Sequence, residues 1–174
     1  RWFLTTIGAD GPSNAAASLG TLIHAVAEEH PHGTPEELTE ALEARIEELG
    51  YNLDTWAGRV ADRHARDIVN NLASYLEGIP GPVEVEQTVS AQVEGVTIRG
   101  RMDRLEHVDE GVRVTDLKTG KSGYSAKTVP DNPQLAAYQM ALLASGERVA
   151  GARIALLGDD KLKYFDQPRL EGQA

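Results

Sequence analysis

The 174-residue sequence has no cysteine. Disulfides, thiolate metal sites and cysteine nucleophiles are therefore excluded, and the absence fits a reducing, cytoplasmic setting. No apolar run approaches the roughly 18 residues needed to span a bilayer, so no membrane partner is expected. The N-terminus lacks the layout of a signal peptide; its abrupt, apolar start, Arg1-Trp2-Phe3-Leu4, suggests a domain cut from something longer, or a processed product. Positive charge is also short. Seventeen Lys and Arg face 27 Asp and Glu, a formal charge of −10, which on its face argues against a nucleic-acid partner, whose phosphates want a basic surface.

That shortage is uneven. Residues 99–127 hold seven basic and five acidic side chains, a local +2 that leaves −12 for the rest. The length suits one ordinary domain with a real core. With 41% hydrophobic and 25% charged residues, the composition is that of a soluble globular protein and not a disordered one.

Helical periodicity fills the first part. Ser13-Asn14 precede a stretch with Leu19, Leu22, Ile23 and Val26 on one side. Thr34-Pro35-Glu36-Glu37 combines a cap, a first-turn proline and a capping-box glutamate, opening a helix that should end at Gly50. A third helix is expected from about Asp54 to Glu77, stopped by Gly78-Ile79-Pro80-Gly81-Pro82. The period then becomes alternating: a strand through Val83, Val85, Val89, Ala91 and Val93, a turn at Gly95, and a second strand from Val96 to Val108. Asp109-Glu110-Gly111 turns into a third, VRVTDLK. The run NPQLAAYQMALLAS reads as a buried helix. Arg153–Leu157 and Leu162–Phe165 are expected as closing strands. The expected architecture is one α/β domain over residues 1–174, helical over 13–78, with a mixed or largely antiparallel sheet and a helix over 82–165.

The stretch Val114–Ser122, VTDLKTGKS, can be read in two ways. Its tail imitates a P-loop, but the first glycine of G-x-x-x-x-G-K-[ST] would have to stand where Thr115 is, and GYSAKTVPDNP follows instead of a helix. That reading fails. The front half offers D-x-K at a strand end. Residues two apart share a face, so Val112, Val114, Asp116 and Lys118 line one side, and the hairpin could bring Asp103 beside Asp116. Two carboxylates and a lysine suit phosphodiester cleavage: hard oxygens hold Mg²⁺ or Mn²⁺, the ion activates water, and lysine offsets charge. From D-x-K alone, surface charges paired across a hairpin remain the better reading.

Four stretches change that balance: Leu19-Gly20-Thr21-Leu22-Ile23-His24, Gly100-Arg101-Met102-Asp103-Arg104, Asp116-Leu117-Lys118-Thr119-Gly120 and Gln134-Leu135-Ala136-Ala137-Tyr138. In this order, and on these element types, they resemble the RecB-like branch of the PD-(D/E)XK nuclease superfamily. The resemblance spans residues 19 to 138. It implies a restriction-endonuclease-like core, a central mixed sheet flanked by helices with a helical N-terminal part. It also implies a Mg²⁺- or Mn²⁺-dependent, exonuclease-like activity on single-stranded DNA in break repair or recombination. His24, Asp103 and Asp116 match metal-ligand positions, with the backbone carbonyl of Leu117 as a further ligand. Lys118 matches the lysine that orients or polarises water, and Gln134 and Tyr138 match a pair that positions the site and the DNA.

The residues themselves agree in part. His24 lies at the border of the Leu19/Ile23/Val26 stripe, beside small Gly20 and Ala27, where it could reach inward; such a histidine is ordinarily just half-exposed. Gln134 and Tyr138 share a helical face. Glu86, Arg104 and Lys121 are auxiliary candidates: an acid near the site, a brace for Asp103 or the hairpin, and a loop lysine within reach of a phosphate. The iron–sulfur cluster of some relatives needs cysteines, so none is expected from this chain. Many relatives are domains of helicase–nuclease machines, which makes a helicase motor an expected partner. Two alternatives stay open: a catalytically inactive nuclease fold that binds DNA or a protein, and an acidic interaction domain with a salt-bridged hairpin.

Overall fold

The computed structural model describes residues 12–48, 54–120 and 123–170. Three helices come first, α1 (Pro12–Glu29), α2 (Pro35–Glu48) and α3 (Trp56–Glu77). The capping box forms as written: the Thr34 N–H donates to Glu37 Oε2 at 2.8 Å and the Glu37 N–H to Thr34 Oγ1 at 3.3 Å. Thr55 starts α3 by accepting the Gly58 N–H at 3.0 Å, satisfying one of the donors a helix start leaves open. The expected end of α2 at Gly50 lies outside the described residues.

Five strands follow: β1 (Val83–Val93), β2 (Val96–Val108), β3 (Gly111–Lys118), β4 (Val149–Leu156) and β5 (Lys163–Pro168), with α4 (Pro133–Ala144) between β3 and β4. They form one sheet in the order β1-β2-β3-β4-β5. Only β3 and β4 are parallel, because a helix-length crossover returns the chain in the same direction. The sheet is therefore mixed. The expectation that Arg153–Leu157 closes the sheet is corrected, since β4 lies inside and β5 closes it. The reason is two-sided burial: Ile154 and Leu156 enter one core and Ala155 the other, as an interior strand requires. Arg153 is tolerated there because both Asp166 oxygens bind it, at 2.6 and 2.9 Å, and its guanidinium stacks 4.0 Å from the Tyr164 ring centre.

Glu94 and Gly95 both have positive φ, 49° and 80°, as a two-residue hairpin turn of this handedness demands. That turn sets the β1–β2 register. On one face of the sheet, α1, α2 and α3 bury Ile23, Val26, Leu38, Leu42, Ile68 and Leu72 against Leu117, Ala155 and Leu157. On the other, α4 buries Leu135, Tyr138 and Leu142 against Val89, Met102, Val112, Val114 and Ile154.

A buried charge network ties the first helical layer to the sheet. Glu106 is fully buried; its Oε1 accepts from the Tyr75 hydroxyl at 2.8 Å and its Oε2 from Arg113 at 2.9 and 3.0 Å. Arg104, 1% exposed, lies 3.5 Å from the same carboxylate and donates to the Pro31 carbonyl at 3.0 Å. Of the two expected roles for Arg104, bracing Asp103 or bracing the hairpin, it takes the second, through Glu106, and it also holds the turn between α1 and α2. Burial lowers the Arg104 pKa, while burial and the Glu106 charge hold the Tyr75 phenol above its ordinary value. Removing one member of such a network strands the others' charge in a poor solvent. Glu106→Ala should therefore cost about 3–5 kcal/mol in urea unfolding. Glu43→Ala, which removes an exposed partner of Arg66, should cost under about 1 kcal/mol. Equal losses would show that the Glu106 network does not hold the layers together.

Candidate active site

The β2–β3 ladder runs from Val108↔Gly111 to Arg104↔Thr115 and stops. Asp103 and Asp116 would form the next pair. Instead the strands part, and the Asp103 carboxylate fills the gap by accepting the Leu117 N–H at 2.7 Å. A strand residue's N–H and C=O point to the same edge, so the Leu117 carbonyl also faces this gap. The Lys118 carbonyl points the other way, to the Leu157 N–H at 2.8 Å.

The parting has a local cause. Met102 and Leu105 both enter the core under α4, while Arg104 and Glu106 reach toward Pro31 and Tyr75 on the opposite layer. Strict alternation cannot place residues three apart on one face, so it slips at Asp103. Across the hairpin, Val85 faces Arg104 and Gln87 faces Met102, which leaves Glu86 opposite Asp103. Glu86 has a φ of 52°, a conformation that costs a non-glycine residue on the order of 1 kcal/mol. Strain of this kind is held where surrounding structure enforces it.

From the helical side, α1 supplies His24, whose Nδ1 is 3.6 Å from Asp103 Oδ1. One ligand atom from each of His24, Glu86 and Asp103 lies within 4.8 Å of the others. Two carboxylates and an imidazole fit a divalent cation that accepts oxygen and nitrogen donors. Asp116 stands beside this group, not within it. Its charge acts on Asp103, and its Oδ2 lies 2.7 Å from Lys118 Nζ. The Lys118 ammonium is thus the partner of this buried oxygen.

Burial pushes the Asp103 pKa up to about 6; His24 and the Leu117 N–H act against the rise, and Asp116 and Glu86 add to it. For Lys118, burial works to lower the pKa, but Asp116 outweighs it and the net shift is upward. A lysine held in this way stays protonated. Beside it opens a hollow of about 540 Å³ walled by Gly120, Tyr124, Thr128 and Asn132, among others.

Among the described residues neither Gln134 nor Tyr138 hydrogen-bonds a carboxylate of the cluster. Gln134 donates to the Tyr138 hydroxyl at 3.2 Å, and that hydroxyl donates to the Arg101 carbonyl at 2.8 Å. The pair fixes the β2 backbone two residues from Asp103. The ring also lies on Gly100, where a Cβ would come 2.5 Å from Tyr138 Cε1. Lys121 lies outside the described residues. Glu86, only an auxiliary candidate by sequence, is a full member of the cluster; counting outward from the Glu94-Gly95 turn would have placed it opposite Asp103. Tyr124 was not singled out, and no motif marks it.

The profile of the PD-(D/E)XK nuclease superfamily matches residues 1–173. No curated protein matches the chain. Among solved structures, one titled "Crystal structure of SSO0001" is similar at 18% identity, covering 87% of this chain and 78% of that one, with a TM-score of 0.38.

Two outcomes follow from the geometry. Gly100→Ala forces the Tyr138 ring away and should cost about 1–3 kcal/mol in urea unfolding; a loss below about 0.5 kcal/mol would mean the ring does not rest there. The raised Asp103 pKa sets a pH dependence. The metal-free folded state binds this proton more tightly than the unfolded chain, whose value is near 3.8. Its contribution to stability is therefore fullest below about pH 4 and is lost as pH rises to about 6, by up to about 3 kcal/mol. Thermal unfolding in EDTA should show this decline, and Asp103→Asn should flatten it. Identical pH profiles for the two proteins would refute the assignment.

Proposed function

The chain belongs to the PD-(D/E)XK nuclease superfamily, a family of divalent-metal nucleases, and from that premise we propose a Mg²⁺- or Mn²⁺-dependent deoxyribonuclease of the RecB-like branch that degrades single-stranded DNA from an end. The observation that carries the reading is the convergence of His24, Glu86 and Asp103 beside the Asp116–Lys118 pair where β2 and β3 part. His24, Glu86, Asp103 and the Leu117 carbonyl would hold the cation, with the Asp116 oxygens at its border. Bound there, the cation activates water and offsets the charge that develops on the phosphoryl oxygens.

The protein's own groups do the rest. Lys118, protonated and fixed by Asp116, cannot take up a proton; it donates to the attacking water or to a phosphoryl oxygen and offsets charge. The water oxygen bonds to phosphorus as its proton passes to solvent, the P–O ester bond breaks, and the departing oxygen takes a proton from a solvent water. Gln134 and Tyr138 hold the β2 backbone so that Asp103 keeps its place. The hollow beside Lys118 has room for the nucleotide that flanks the scissile bond. We place the activity in cytoplasmic DNA break repair or recombination, with a helicase motor delivering the strand. The acidic surface, −10 overall, supports a domain that receives its substrate from a partner.

The test is cleavage of end-labelled linear single-stranded DNA with Mg²⁺ or Mn²⁺, beside a circular single strand of the same sequence. The parent should shorten the linear strand and spare the circle. Asp116→Ala and Lys118→Ala should each lower the rate by about 10²–10³-fold. Variants that match the parent would overturn the mechanism, and cutting of the circle would overturn the end requirement.

A further inference from the structure

β2 pairs with β3 only over residues 104–108, whereas it pairs with β1 along nearly its whole length. Residues 96–103 and their β1 partners therefore form a two-stranded arm extending from the metal-site cluster. A two-stranded ribbon alone is marginal in water. This one is backed by α4: Val89 and Met102 are buried with Leu135 and Tyr138, and Ala91 and Ile98 pack against them.

The other face carries a different chemistry. Asp103, Arg101, Arg99 and Thr97 are two apart in turn and share that face. Thr88 stands opposite Arg101, Ser90 opposite Arg99 and Gln92 opposite Thr97, and all six are exposed. The row begins at the Glu86–Asp103 pair and leads straight away from it. Arg101, with a side chain 61% exposed, is pinned at the head of the row by Glu86 and by Glu28 of α1 at 3.7 Å. Arg99, about 7 Å further on, makes no ion pair among the described residues. No carboxylate stands in the row between Asp103 and the turn at Glu94, in a protein whose remaining sequence outside 99–127 carries −12.

We propose that this open face is a track for one nucleic-acid strand. Arg101 and Arg99 neutralise successive phosphates, and the hydroxyls and amide of Thr88, Ser90, Thr97 and Gln92 hydrogen-bond the sugar–phosphate backbone. A single row of cations matches one backbone, and the acidic remainder of the protein repels a second. The direction of travel, toward a scissile phosphate at the metal site, rests on the nuclease reading; the binding itself does not.

The test uses the 174-residue chain in EDTA and follows anisotropy of a labelled oligothymidylate across a salt series. Arg99→Ala should reduce the log–log salt slope by about 0.7, the loss of one phosphate contact on a single strand, and Arg99→Glu should weaken binding roughly tenfold. Arg99→Lys should keep the parent's slope. With metal, the parent is also given thymidine 5′-(p-nitrophenyl) phosphate, too short to reach Arg99, as a probe of the metal site alone. Unchanged affinity and slope in both Arg99→Ala and Arg99→Glu would overturn the track, as would tighter binding of a blunt duplex than of the single strand. If the parent hydrolyses neither DNA nor the nitrophenyl ester, yet Arg99→Glu loses salt-dependent binding, the nuclease reading falls and the track stands.

Discussion

The hydrogen bond from the Leu117 N–H to the Asp103 carboxylate is the point on which the rest of the site turns. It stands where a backbone ladder bond would otherwise lie, and so lets two strands part without stranding a donor. The consequences spread outward. Asp103 is drawn into the sheet's edge, where burial raises its pKa. Leu117 turns its carbonyl into the same opening. Asp116 and Lys118 come to the end of a strand held on its other side by β4 alone.

Such an opening collects like charges, and the fold must keep them from driving it apart. It does so with cations of different kinds. Lys118 pairs with Asp116, and Arg101 with Glu86. A layer away, Arg104 and Arg113 surround Glu106 and link β2 to the helical turn at Pro31. The two groups differ in purpose. The Glu106 network is sealed from water, so its geometry is fixed and its value is in positioning the layers. At the opening the cations themselves reach solvent, Arg101 largely and Lys118 in part, while Asp116 beneath Lys118 is buried.

Much of this was legible in the sequence because it is encoded locally. The α2 capping box, the cluster that stops α3, the hairpin turn and the alternation in β3 depend on neighbours within a few residues, and each forms as read; in β2 the alternation holds only as far as Asp103. His24 could be placed at the edge of an apolar stripe, and Asp103 near Asp116 from the hairpin. The interior position of β4 was not legible in the same way. An apolar run fits a closing or a central strand until its partners are known, and β3 lies about thirty residues upstream across a helix. The Pro31 contact of Arg104 also escaped, since it forms only when the helical layer docks. Glu86 lies between these cases: register alone places it, but its positive φ and the slip at Asp103 depend on the parting of the strands.

The slip also explains how one short hairpin serves two tasks. Before Asp103, β2 alternates so that Met102, Gly100 and Ile98 meet α4 while Arg101 and Arg99 face outward. After it, Arg104 and Glu106 face the first three helices instead. Had the alternation continued unbroken, Leu105 would have faced the helical layer and Arg104 and Glu106 the apolar core, away from the Pro31 carbonyl and the Tyr75 hydroxyl that satisfy them. The irregular residue is therefore the seam between a segment that builds the core and one that presents an open charged face. Tyr138 guards that seam from below, its ring on Gly100 and its hydroxyl on the Arg101 carbonyl. Through these two contacts a helix on the far side of the hairpin helps set where Asp103 stands.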